Sequence, residues 1–124
     1  MRRLLIAASM FALCGGSAFA ADVMAGYYGN TAVSTGGMAE IHTHYRADHS
    51  FDLTGSAMGM SHSYKGTWSI DGTGQLCRVF TGDMPPNATN PVCTPIAAHK
   101  VGDTWTLTGK DGSTRTITLK AGIE

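Results

Sequence analysis

Gly66 to Cys77, together with Cys93, constrains this chain more than any other stretch. Gly66-Thr67-Trp68-Ser69-Ile70 reads as a strand, Asp71-Gly72-Thr73-Gly74 as a turn, and Leu76-Cys77 as part of a second strand. Further on, Pro85-Pro86 marks a loop and Val92-Cys93 opens another strand. If Cys77 and Cys93 face each other across an antiparallel pair, the midpoint of their connection is Pro85, in the middle of that loop. The spacing therefore predicts a Cys77–Cys93 disulfide. Closing a loop of about 15 residues contributes roughly 3 kcal/mol through chain entropy.

The first twenty residues have a different character. Arg2 and Arg3 precede a short apolar run, Leu4 to Leu13, too short to anchor in a bilayer. Ala18-Phe19-Ala20 places small residues at the two positions a signal peptidase reads. The pattern predicts a cleaved signal peptide over residues 1–20, cut after Ala20, and a periplasmic protein with no membrane span. Leu13 before Cys14 is the wrong residue for a lipoprotein signal. Residues 21–124 then make one domain. Lys+Arg falls from 9 to 7 when Arg2 and Arg3 leave, against 9 Asp+Glu, so no basic surface invites nucleic acid. Two of the 3 cysteines remain, an even pair suited to an oxidising compartment.

The domain alternates with a period of two and shows no helical period. In Glu40 to Ala47, Ile41, Thr43 and Tyr45 share one face and His42, His44 and Arg46 the other. Phe51, Leu53, Gly55 and Ala57 share a face in the next strand. A three-residue turn at Asp48 to Ser50 keeps the apolar faces together and sets Tyr45 opposite Leu53. A strand from about Ser61 puts Tyr64, Trp68 and Ile70 inward. Leu76 to Thr81 follows, then Val92 to His99, which Pro95 confines to an edge or bulge. Trp105 with Leu107, and Arg115 with Ile117 and Leu119, alternate on either side of an Asp111-Gly112-Ser113 hairpin. Thr31 to Thr35 makes a short edge strand after a lead-in holding Tyr27 and Tyr28. The fold class is all-β: a small antiparallel meander barrel or sandwich of about seven to eight strands with one disulfide.

Gly29-Asn30-Thr31, Tyr45-x-Ala47-Asp48 before a Phe strand, Gly66-Thr67-Trp68, Leu76-Cys77 with a second cysteine, Val101-Gly102-Asp103 and the closing Asp111-Gly112 appear in a telling order. This order resembles a group of small exported proteobacterial β-proteins, mostly of unknown function. The resemblance spans most of the chain after the signal. It implies a lipocalin-like meander with a disulfide and supplies no catalytic residue. Where the group commonly has Asp-Gly at the first turn, this chain has Asp48-His49.

Three constellations bear on function. Tyr45, Phe51, Tyr64, Trp68 and Trp105 all point inward, with Phe80. They either pack as a core or line a pocket for a small apolar ligand, with Arg115 at its mouth. Small Gly55, Ala57 and Gly59 on the same face fit either arrangement. The second constellation is Met58, Met60 and His62, with His42 and His44 on the polar face of the neighbouring strand. Thioether and imidazole suit Cu(I), and the set resembles the ligands of some small periplasmic copper chaperones. The third is Arg78 and Arg115, which as inward arginines need a carboxylate, an anion or a barrel rim. No nucleophile elbow, zinc-protease motif or phosphate loop occurs, and Asp48-His49-Ser50 are consecutive turn residues rather than a triad. The sequence thus predicts a monomeric, non-enzymatic periplasmic protein without a cofactor, binding a small apolar ligand or an envelope component. The alternatives are a copper-binding protein and a structural or inhibitory module that binds another protein through its edge strands.

Overall fold

The computed structural model describes residues 23–109 and 111–124. The expected signal peptide and its cut after Ala20 lie outside the described residues. Eight strands form one antiparallel sheet: β1 Thr31–Thr35, β2 Glu40–Tyr45, β3 Ser50–Ala57, β4 Met60–Ile70, β5 Gln75–Phe80, β6 Val92–Pro95, β7 Thr104–Thr108 and β8 Thr114–Lys120. Their order is β6-β5-β4-β3-β2-β1-β8-β7. The first six strands are a meander, and the β7–β8 hairpin adds to the far side of β1. The sheet curls into a half-barrel whose two edges are β6 and β7. Among the described residues, the single 3-10 turn Ala25–Tyr27 is the one helical element.

The period-two pattern decides which side of the sheet is buried. Ala32, Thr43, Leu53 and Tyr64 lie side by side in successive strands, with Leu119 beyond Ala32. Tyr45, Phe51, Gly66 and Phe80 form the next row. These rows face the concave side, where Phe51, Leu53, Trp68, Leu76, Phe80, Ile117 and Leu119 are buried. Gly66 is needed in its row: a Cβ there would overlap the Val79 carbonyl and lie 2.9 Å from the Phe51 ring. The convex side carries hydroxyl pairs across neighbouring strands, Thr54–Ser63 at 2.9 Å, Ser56–Ser61 at 3.0 Å and Thr104–Thr118 at 3.1 Å.

Three hairpins share one turn design. Arg46 N–H donates to Ser50 O and His49 N–H to Arg46 O; the same pair of bonds closes Asp71–Gln75 and Gly109–Ser113. The fourth residue of each is left-handed: His49 (φ 71°), Gly74 (φ 82°) and Gly112 (φ 82°). This bulged turn prefers glycine there. His49 takes the strained position while its ring stacks on Trp68, 4.2 Å between centroids and 6° from parallel, with Nδ1 3.0 Å from Trp68 O. The β2–β3 loop is therefore Ala47 to His49, not Asp48 to Ser50. Tyr45 pairs with Phe51, and Leu53 with Thr43. The expected Tyr45–Leu53 register is off by two residues. Hydrophobic parity cannot detect such a slip, because the inward set is unchanged.

Cys77 lies opposite Cys93 and the two are disulfide-bonded, as the spacing predicts. The strand expected over Val92 to His99 ends at Pro95, an edge position where the missing N–H costs no ladder bond. The chain then crosses beneath the half-barrel to β7.

The segment before β1 is not a lead-in but part of the core. Met24 is 1 % exposed and Tyr27 is 3 % exposed. The Tyr27 ring stands edge-on to Tyr45 (5.7 Å) and Trp105 (6.3 Å), and its hydroxyl donates to Ala97 O at 3.3 Å. Burial, then the neighbouring Tyr45 and Asp103, push the Tyr27 phenol well above its usual titration range. The C-terminal residues strap the same end. Gly122 N–H donates to Asn30 Oδ1, Thr31 Oγ1 donates to Gly122 O at 2.8 Å, and Glu124 N–H donates to Thr31 Oγ1.

Candidate functional site

The aromatic residues expected to line a pocket do face inward, and they fill the space between them. Tyr45 packs on Phe51 at 6.2 Å, and Phe51 and Tyr64 both meet Phe80 edge-on, at 5.4 and 6.3 Å. Trp68 is buried and its indole N–H donates to Arg46 O at 3.0 Å. Trp105 is half-buried and stacks on His99, 3.5 Å between centroids. Tyr45 and Trp105 are joined through Tyr27, which occupies the space between them. Gly55 and Ala57 do not make room for the tryptophans: they pair with His62 and Met60, near the opposite end of β4 from Trp68.

Arg115, expected at the mouth of the pocket, clamps the β1–β2 turn. Its Nε donates to Ser34 Oγ (2.6 Å), Nη1 to Gly36 O (2.7 Å), and Nη2 to Ser34 O (3.0 Å) and Ala39 O (2.8 Å). Its donors are committed to the fold rather than presented to a ligand. Arg78 lies on the concave side opposite Trp68, with its guanidinium carbon 6.0 Å from the centre of the Phe51 ring.

The register separates the expected metal ligands. Ile41 pairs with Gly55 and Gly55 with His62, so His62 shares the Ile41 side of the sheet. His42 and His44 have the opposite parity. The expected common face for Met58, Met60, His62, His42 and His44 is thereby corrected: His42 and His44 project from the convex side. They are also engaged. His42 Nε2 is 2.7 Å from Glu40 Oε1, while His44 Nδ1 is 2.7 Å from Asp52 Oδ1 and its Nε2 3.1 Å from Glu124 O. Asp52 also accepts from Arg46. Burial works against the Asp52 charge, yet the bonds from His44 and Arg46 hold its carboxyl below the usual carboxylate range. Met58 and Met60 are exposed at the β3–β4 turn.

The register also exposes a strand edge that sequence reasoning did not locate. β4 runs from Met60, but β5 pairs with it only over Gly66 to Ile70, with one further bond from Thr81 N–H to Lys65 O. In the β3–β4 ladder the even-numbered residues of β4 face β3, so Ser61 and Ser63 direct their main-chain groups to the side that β5 has left. At this notch lie two adjoining open depressions of about 260 and 470 Å³. Both are lined by Asp52, Lys65 and Thr81; Arg46 flanks the first, and Ser63 and Asp83 the second. The length mismatch between β4 and β5 was the available signal, since Gly82 opens the Pro-rich loop long before the chain could return to the level of Met60.

No protein-family profile, curated protein or solved structure matches this chain. No helix among the described residues is long and apolar enough to cross a membrane.

Proposed function

We propose that this chain is a non-enzymatic periplasmic protein that binds a protein component of the cell envelope at the β4 edge. The observation that carries this reading is the overhang of β4 beyond β5. Ser61 and Ser63 offer main-chain donors and acceptors to an added strand, and Lys65 beside Asp52 and Asp83 gives the notch a charged rim. Strand addition draws affinity from such main-chain bonds and specificity from neighbouring side chains. The filled interior supports a surface role over an apolar-ligand cavity, since Tyr27 and Met24 occupy the space a ligand would need. The disulfide supports an oxidising compartment.

The test is a photo-crosslinking residue at Ser63 in the periplasm of the host, compared with one at Thr106 on the β7 edge. A crosslinked product from position 63 that disappears in Ser61→Pro supports the reading. Proline removes the outward N–H and is tolerated on an edge. A product that persists in Ser61→Pro, or one formed equally from Thr106, refutes it.

A further inference from the structure

The chain has 5 histidines. Four are engaged: His42 with Glu40, His44 with Asp52 and Glu124, His49 stacked on Trp68, and His99 stacked on Trp105 with Nδ1 3.3 Å from Asp103 Oδ2. Among the described residues, His62 is the one whose ring nitrogens have no partner, and it is exposed. It shares its side of β4 with Met60, two residues away, where strand geometry sets neighbouring side chains parallel. Across from them β3 presents Gly55 opposite His62 and Ala57 opposite Met60, so neither side chain is covered by its neighbour.

The methionines at this end lack a packing role. Methionine normally fills cores, as Met24 does. Met58 is 84 % exposed, Met60 63 % and Met38 77 %. Met58 occupies the two-residue β3–β4 turn in a left-handed conformation, φ 53°, followed by Gly59 at φ 77°. Met38 sits in the β1–β2 turn at the same end of the sheet, because Glu40 pairs with Ser56. Three exposed thioethers and an unengaged imidazole therefore lie at the same end of the half-barrel, in two neighbouring turns and the start of β4.

We infer that this tip is a binding site for a soft monovalent metal ion, Cu(I), with Met60 and His62 as its paired ligands, Met58 as the third and Met38 within the neighbouring turn. Thioether sulfur selects Cu(I) over Zn(II), and uncharged ligands match a monovalent ion. The site shares the β4 overhang with the notch, Met60 and His62 alternating with Ser61 and Ser63, but it uses side chains on one face of the strand where the notch uses main-chain groups at its edge. Its ligands lie on a flexible-chain residue type and an exposed hairpin, so a labile, exchangeable site follows rather than a buried structural one. The glutamate-bound His42 and the aspartate-bound His44 take no part.

The experiment is titration of the full domain, labelled at the methionine methyl groups, with Ag(I) as a redox-inert stand-in for Cu(I), followed by Cu(I) competition against bicinchoninate. Ascorbate is the reductant in the second stage, since it leaves the disulfide intact. Expected are shifted methyl resonances for Met58 and Met60 at one equivalent, no shift for buried Met24, and withdrawal of one Cu(I) from the chelator. Met60→Leu or His62→Gln weakens that withdrawal by about 10–100-fold or more, the range that loss of even an outer-shell partner reaches. His42→Gln leaves it unchanged. Met60 and His62 are exposed and His42 is half-buried, and circular dichroism checks that each variant keeps the parent fold. Methyl resonances that stay still, or a competition curve identical in the parent and Met60→Leu, overturns the assignment.

Discussion

Replacing Tyr27 by alanine separates a core plug from a flexible lead-in. The ring is 3 % exposed and stands edge-on to Tyr45, Trp105 and His99. Removing a buried aromatic ring costs about 3–5 kcal/mol, transfer and cavity terms together. Each edge-on pair adds about 0.5–1.5 kcal/mol beyond the area it buries. At about 4–8 °C per kcal/mol for a domain of this size, a loss of 3 kcal/mol lowers Tm by about 12–24 °C. Tyr27→Phe keeps the ring and gives up only the 3.3 Å bond to Ala97, a loss of about 1 kcal/mol or less. Thermal unfolding followed by circular dichroism reads both variants. A Tyr27→Ala protein melting within about 4 °C of the parent would place the segment outside the core and would reopen the interior as a ligand site. The alanine variant should also gain affinity for benzene or xenon, as apolar cavities do when a ring is removed.

Four other outcomes follow from the same structure. Arg115→Ala leaves the carbonyls of Ser34, Gly36 and Ala39 without their donor and should cost about 2–3 kcal/mol in urea unfolding; Arg115→Lys recovers little, because an ammonium cannot match the guanidinium fork. Gly66→Ala drives a methyl into the Val79 carbonyl and should destabilise by about 3 kcal/mol or more, read as a lowered urea midpoint. Replacing Cys77 and Cys93 by serine should remove roughly 3 kcal/mol under the same assay. Acid unfolding tests Asp52. Its folded carboxyl titrates below the unfolded one, so its contribution is complete above about pH 4 and is lost as pH falls through the folded value. Asp52→Asn should therefore flatten the acid limb of the stability curve and lower its plateau near neutral pH.

Much of the architecture is written in residue parity. Alternation from Ile41 to Tyr45 and from Phe51 to Leu53 assigns the inward face, and the cysteine spacing about Pro85 pairs Cys77 with Cys93. Parity has no power over shifts of two, however, and the Tyr45 register needed the turn type. That type was masked because His49 stands where glycine signals it, its left-handed strain offset by the Trp68 stack and carbonyl bond. Tyr27 and Met24 belong to no periodic run, so their burial depends on the crossing chain near Ala97 and His99. An aromatic pair, Tyr27-Tyr28, in a segment without charge was the available clue. For the candidate metal tip, the Met58-x-Met60-x-His62 spacing is visible in the sequence. The engagement of the other histidines is mostly not: Glu40 is two residues from His42 in β2, but the partners of His44 and His49 come from other strands and the C-terminal tail, and the His99 ring stacks on a residue of β7.

Each of the chain's two tryptophans lies flat against an imidazole, Trp68 on His49 and Trp105 on His99. The two stacks lie at separate places: Trp68 sits against the β2–β3 turn, and Trp105 against the link between β6 and β7. The intrinsic fluorescence of this protein is consequently a two-channel report on those two segments, with neither indole left as a silent reference. An emission change on adding a metal or a partner can be ascribed to one segment only when the other tryptophan has been removed. Single Trp68→Phe and Trp105→Phe proteins would each keep one imidazole-stacked indole and so follow one segment at a time, optically and without labels.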